Sequence, residues 1–400
     1  MNISYDSRID KIYQYLLIAL AFIMPLTVAG GNLIVGIIVI IWFLSGNYQI
    51  KISQIINNRL AIASVLFFSA HVIGLIWTED MLWGLHVVKK MWYFLLLLPI
   101  LITIVKKEGI RYYISAFLLA MMLTELLSYL VWFEMIPNFK NATVENPTPF
   151  MSHISYNPFL AFTFYLISHE AIFNKKLKNV QKYMYGFFAL TITVNMFITG
   201  GRAGQVAFFI IASILIFQLY GKNLKALLFS ILMILGVFFT AYNNSALFSE
   251  RFDRIEREIS NYDNFKGTSI GLRLTFAIHS WEIIKNNIFI GVGTGDFPNE
   301  YKKINMSKTP QLANARNPHN MYTLILTQLG LFGLFALLYI FYAQFRIAAV
   351  SKSKFLKDVG IILPILFLII MWSDSYLLGH YTTLLFVFFS SFLYKDFEKP

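Results

Sequence analysis

Cysteine is missing from all 400 residues. No disulfide staples this chain, no thiolate binds a metal and no cysteine nucleophile acts, although the absence identifies no compartment. Charge is scarce as well: Asp, Glu, Lys and Arg make up 14% of the residues, with 21 acidic against 33 basic. Neither an internal repeat nor a low-complexity tract is visible. A nucleic-acid partner would need a soluble basic domain, and no stretch of the chain provides one for the net charge of +12. What abounds is apolar surface: 57% of the residues are hydrophobic and 17% aromatic, with a mean hydropathy of +0.62.

Apolar runs of about 17 to 25 residues, long enough to cross a bilayer core, recur along the whole length. They predict an all-α polytopic membrane protein with about twelve transmembrane helices, at 13–29, 31–46, 60–77, 89–105, 112–135, 154–172, 183–199, 203–220, 225–242, 320–345, 357–373 and 375–394. The first run leads straight into the second, so a retained helix is expected rather than a signal peptide. Residues 1–242 would hold nine spans, 243–318 one large outer loop and 319–400 the last three. Lysine and arginine concentrate on one side of this arrangement, and the short loops of the other side hold only Lys89, Lys90, Lys140 and Arg202. The bias places both termini in the cytoplasm.

The outer loop carries two helical patterns. "SALFSERFDRIEREISNY" (245–262) sets Phe248, Phe252, Ile255 and Ile259 on one stripe, as a surface-lying amphipathic helix does. In "SIGLRLTFAIHSWEIIKNN" (269–287), Thr275, His279, Glu282 and Asn286 form a polar, solvated stripe. Arg273 falls opposite, among Ile270, Leu274, Ala277, Trp281 and Ile284. An arginine there snorkels, finds a carboxylate, or meets an anionic ligand, because an unpaired buried guanidinium is very costly. The following "NNIFIGVGTGDF" (286–297) has glycines but no βαβ context, so it reads as a tight turn and not as a nucleotide loop.

Arg202 sits in a minimal outer turn, "TGGRAG", where glycines let backbone and ligand approach closely; it anchors on lipid phosphate or binds a ligand. "ARNPHN" (315–320) reads as a helix start, with Asn317 as N-cap, Pro318 first and His319 second. The positive helix end disfavours an imidazolium and attracts phosphate, so His319 is either a capping residue or a proton acceptor. Gly330 follows eleven residues on, about 20° around an unbroken helix from His319, and Gly333 shares that face, where glycines permit close helix contact.

His319-Asn320, nine residues, then Gly330-Leu-Phe-Gly333 is similar to the signature of the bacterial O-antigen ligase family. "TGGRAG" resembles that family's serine-arginine-glycine turn with glycine in place of serine, and "IIKNNIFIGVGTGDF" looks like its Gly-rich segment. The resemblance implies a GT-C-like membrane glycosyltransferase of the bacterial inner membrane with a periplasmic active site. Such an enzyme moves preassembled glycan from undecaprenyl pyrophosphate to the lipid A–core oligosaccharide, without metal or cofactor and with inversion. Arg202 and Arg273 would then hold the pyrophosphate and His319 would be the general base. Lys89, Lys90 and Asn320 would add phosphate contacts, with plain interfacial anchoring as the other reading of the lysines. Asp374, otherwise a loop residue, would orient a catalytic group. The implied partners are the lipid-linked donor, the core acceptor and membrane lipids, acting on a monomer. An O-antigen polymerase remains as the second enzyme reading. A flippase or transporter is the non-enzyme one, but it would show repeat symmetry or charged midplane helices.

Overall fold

In so apolar a chain each backbone N–H and C=O needs a partner that water does not supply, and helix provides one within a single segment. The computed structural model describes residues 7–140, 142–221 and 246–397, with individual positions between 223 and 243. Helix makes up 76% of it, and no strand occurs among the described residues. The first part runs α1 (Ser7–Ile23), α2 (Val28–Leu44), α3 (Tyr48–Ile56), α4 (Arg59–Ile73), α5 (Met81–Lys90) and α6 (Leu98–Ile104). Next come α7 (Ile110–Trp132), α8 (His153–Phe173), α9 (Asn179–Ile198) and α10 (Arg202–Tyr220). The loop helices are α11 (Ala246–Ser260), α12 (Tyr262–Phe265), α13 (Ser269–Asn286) and α14 (Phe297–Lys308). The chain closes with α15 (Met321–Val350), α16 (Lys354–Ile370) and α17 (His380–Leu393).

Twelve spans are not what these helices make. Among the described residues four are long and apolar enough to cross a membrane: Met81–Ile104, Lys107–Trp132, Arg202–Tyr220 and Met321–Val350. A fifth results if α2 and α3, bent by 117°, count as one. The apolar runs do not reveal where helices stop: α1, α2 and α16 end at 17 residues, α4 at 15 and α17 at 14. α8 and α9 reach 21 and 20 residues, but polar side chains such as Asn157 and His169, or Lys182 and Asn195, dilute them. The span expected at 225–242 lies largely outside the described residues, as do the side chains of Phe248, Phe252 and Ile255.

An aromatic core ties together the helices that carry the site. Phe117 of α7 meets Phe159 of α8 at 6.0 Å and Phe389 of α17 at 5.1 Å, and Phe162 meets Phe389 edge-on at 4.8 Å. Such edge-to-face pairs add about 0.5–1.5 kcal/mol each beyond the area they bury. They set the start of α8 beside the turn that leads into α17.

The Gly-rich segment is more than a turn. α15 breaks at Gly330, whose φ of 60° and ψ of −155° leave the helical region. The break frees backbone groups that the segment then satisfies: Leu331 N donates to Ile288 O at 2.8 Å and Phe332 N to Phe289 O at 3.1 Å. In return Val292 N reaches Thr327 O at 2.9 Å and Gly293 N reaches Gln328 O at 3.0 Å. Asp296 fixes the far end by accepting from the amides of Glu79 and Asp80 at 2.9 and 2.7 Å. The spacing of His319 and Gly330 therefore records a docking point and not an unbroken helix face.

Gly330→Val should undo this docking. The residue needs positive φ, which costs a branched side chain about 1–3 kcal/mol. Its Cβ would also stand 2.4 to 2.5 Å from backbone atoms of Phe289 and Ile290. We expect a lowered unfolding temperature and proteolytic cleavage within 288–296. Gly36→Ala, where a Cβ meets nothing within 4 Å, should change neither.

Candidate active site

His319 lies just outside α15, not in its first turn. Asn320 is the N-cap, its Oδ1 accepting from Thr323 N at 3.0 Å. Asn317 instead makes a local turn by accepting from His319 N at 2.9 Å, and His319 takes a φ of 52° that no helix tolerates. Asn317 as N-cap and Pro318 as first helical residue are thereby corrected: an asparagine three residues later wins because its side chain reaches the third amide of the helix.

What holds His319 is the turn between α16 and α17. Met321 N donates to Met371 O at 2.9 Å, Asn320 Nδ2 to Trp372 O at 3.2 Å, and Ser375 Oγ to Asn317 Oδ1 at 2.9 Å. These bonds bring Asp374 Oδ1 to 3.3 Å from His319 Nδ1. The imidazole is 44% exposed while the carboxylate is 18% exposed, so Nδ1 faces the acid and the other ring edge is open. Asn320 commits its oxygen to the cap and one amide hydrogen to Trp372, which leaves one donor over.

α13 supplies the lid of this corner, and its orientation reverses the one read from periodicity. Gly271, Thr275, His279, Ser280, Ile283 and Ile284 are buried, whereas Trp281 is 55% exposed. His279 is thus packed against Tyr301 at 5.4 Å rather than solvated. The rule that the apolar stripe faces inward holds in water; lipid sets no such rule, and small or polar residues then make the close contacts. Arg273 accordingly points outward, with no ion pair or side-chain hydrogen bond among the described residues. Three residues on, Phe276 stacks on the His319 ring with centroids 5.9 Å apart. Below, Ile283, Phe297, Tyr301 and Leu324 form a small core that seats the loop helices on α15.

The Arg202 turn is built on α8. Asn157 Nδ2 donates to Gly201 O at 3.1 Å, while its Oδ1 accepts from Thr199 Oγ1 at 2.7 Å. Cβ atoms at Gly201 or Gly204 would fall 2.4–2.7 Å from Asn157 atoms, which is why "GGRAG" is glycine-rich. On the other side Gly200 N donates to Asn146 Oδ1 at 3.3 Å, and Asn146 Nδ2 contacts His153 Nδ1 at 3.2 Å. The Arg202 side chain is exposed and has no ion pair or hydrogen bond among the described residues.

His153 links the two arginines. Burial holds its pKa below the usual 6.5, and the Arg273 guanidinium lowers it further. Arg273 also bears electrostatically on Tyr376, two residues beyond Asp374. So the guanidinium of α13 bears on His153, beside the Arg202 turn, and on Tyr376, in the turn that carries Asp374. Nothing in the sequence singles out His153 for this place; only the fold brings Asn146, Gly200 and Arg273 around it.

This gives a prediction free of any functional assumption. In Arg273→Gln the His153 titration, followed by NMR on labelled histidine, should move up towards 6.5 yet stay below it, because burial is the larger cause. A lowered folded value means that His153 binds its proton more readily when unfolded. Its contribution to stability is therefore full above 6.5 and declines as pH falls towards the folded value. An unchanged titration in Arg273→Gln would separate Arg273 from the Arg202 turn.

Lys89 and Lys90 open onto a cavity of about 690 Å³, together with Asn32, His86, Trp92 and His380. Its wall includes Leu378, which also packs against the small core beneath the loop helices, so the cavity adjoins the turn bearing Asp374. Arg316, missed as a candidate, lies over the Trp83 ring at 5.4 Å, and Trp83 stacks on His86 at 4.9 Å. Through these rings the segment preceding His319 connects with the two lysines. Its signal was in plain view: a second cation three residues before His319.

Among known families, the model described as O-antigen ligase matches residues 187–338. No curated protein matches the chain. The matched stretch includes the Arg202 turn, the loop helices with Arg273, the Gly-rich segment, His319 and Gly330. With its apolar helices the chain is an integral membrane protein. Over residues 187–338, under half of its length, the chain is similar to the O-antigen ligase family.

Proposed function

We propose that this protein is an O-antigen ligase of the bacterial inner membrane, transferring finished glycan from undecaprenyl pyrophosphate to the lipid A–core oligosaccharide at the periplasmic face. The observation that supports it most is the pairing of His319 with Asp374 from separate segments, beneath a loop helix whose Phe276 stacks on that imidazole and whose Arg273 bears electrostatically on Tyr376 of the Asp374 turn.

The chemistry follows from those positions. Asp374 at Nδ1 favours the tautomer that leaves Nε2 unprotonated, and Nε2 is on the open edge. A core-sugar hydroxyl loses its proton to Nε2 as its oxygen attacks the anomeric carbon. The bond from that carbon to the pyrophosphate oxygen breaks, and undecaprenyl pyrophosphate leaves carrying the electron pair. Arg202 and Arg273 neutralise the charge growing on the leaving group, and planar guanidinium forks suit phosphate oxygens. Lys89 and Lys90 extend the positive field into the adjoining cavity.

The ligase reading is favoured over a polymerase by the loop layout: one set of loop helices at 246–308 covers the site, against a short 133–152 connection. The lipopolysaccharide of a strain lacking the gene tests it. Core-only lipid, with polymerised glycan left on undecaprenyl pyrophosphate, is expected; core carrying a single repeat would make the protein a polymerase.

A further inference from the structure

The ends of α7, α8 and α16 remote from His319 enclose a second cavity, of about 330 Å³. We propose that it binds the phosphodiester headgroup of an anionic phospholipid. Two cations, Lys107 and Arg111, line it, and neither has an ion pair or side-chain hydrogen bond among the described residues. One acid, Glu170, is present, and its Oε2 already accepts from Asn174 Nδ2 at 2.8 Å. The cavity is therefore net positive, with the hydroxyl-bearing Ser115, Tyr185 and Ser353 also in its lining.

The wall decides what kind of anion fits. Ile110, Ile114 and Leu118 follow one another at helical spacing along α7, within the segment long and apolar enough to span a bilayer. A soluble phosphate has no use for such a wall, whereas a phospholipid lays an acyl chain along it while its phosphate meets Arg111 and Lys107. Basic pockets between membrane helices bind anionic headgroups in this way. α7 and α16 each run from this cavity to the site end: α16 leads into the turn of Asp374, and Ser128 near the end of α7 donates to Pro147 O, next to Asn146. A lipid here would brace both helices.

The test is native mass spectrometry of the full chain, delipidated and then offered phosphatidylglycerol or phosphatidylcholine of equal chain length. Preferential retention of phosphatidylglycerol is expected. Lys107→Gln and Arg111→Gln should each weaken that preference about five-fold, with phosphatidylcholine unaffected. Ile114→Trp, which fills the wall and keeps both charges, should exclude phosphatidylglycerol as well; it keeps the test sharp if a charge variant fails to fold. Equal retention of the two lipids by the unaltered chain would overturn the proposal. So would an unchanged preference in both charge variants, or displacement of the lipid by inorganic phosphate or glycerophosphate at matched concentration, which marks a headgroup-only anion site.

Discussion

Purified His319→Ala is expected to bind lipid-linked donor as tightly as the unaltered protein and to transfer its glycan about a hundred to ten thousand times more slowly. The size comes from losing general-base assistance alone, because the arginines and the cavity remain. Binding should survive because, although the His319 ring stacks on Phe276, the loop helices are seated on α15 by Ile283, Phe297, Tyr301 and Leu324. The His319 backbone amide bonds Asn317, and the neighbouring Met321 and Asn320 tie the helix start to the 371–375 turn. Asp374→Asn should cost less, since it loses the preferred tautomer but keeps the imidazole. Donor affinity and single-turnover rate, measured separately, discriminate the roles. If His319→Ala weakens donor binding while turnover at saturating donor stays near normal, His319 holds phosphate and is not the base.

Arg202→Lys and Arg273→Lys should each lower turnover on the order of a hundred-fold, the typical cost of removing one preorganised donor from a developing anion. Lysine keeps the charge but not the two-pronged geometry, so the loss measures the fork. Neither residue is committed elsewhere among the described residues, so little of the effect should be structural. If both act on one pyrophosphate, the double variant should lose less than the product of the single losses. Losses that multiply fully would assign the two arginines to separate tasks.

Much of this arrangement was readable from the residues, for identifiable reasons. The loop helices expected at 245–262 and 269–287 are α11 and α13, because Gly267-Thr268 and Asn287 mark their limits and no span competes for them. Arg202, Arg273 and His319 stood out because each is an ionisable group in a setting that normally avoids one. The face of α13 was misread because apolar residues occur on both of its sides, and which side is buried depends on whether water or lipid lies outside. The start of α15 was misplaced since two asparagines, Asn317 and Asn320, can both cap, and only the contacts with Met371 and Trp372 decide between them. Gly330 was taken for a packing glycine because its φ depends on the Phe289–Ile290 backbone, about forty residues away in sequence and in direct contact in space. His153 carries no local signal at all; its place follows from three elements meeting.

Transfer rebuilt from purified protein, undecaprenyl-pyrophosphate-linked glycan and core lipid probes the reaction itself. The proposed function predicts that each glycan leaving the donor appears on core lipid, with one undecaprenyl pyrophosphate released per core lipid glycosylated. Unmodified core lipid beside lengthening lipid-linked glycan would contradict it, and would make the acceptor another donor molecule.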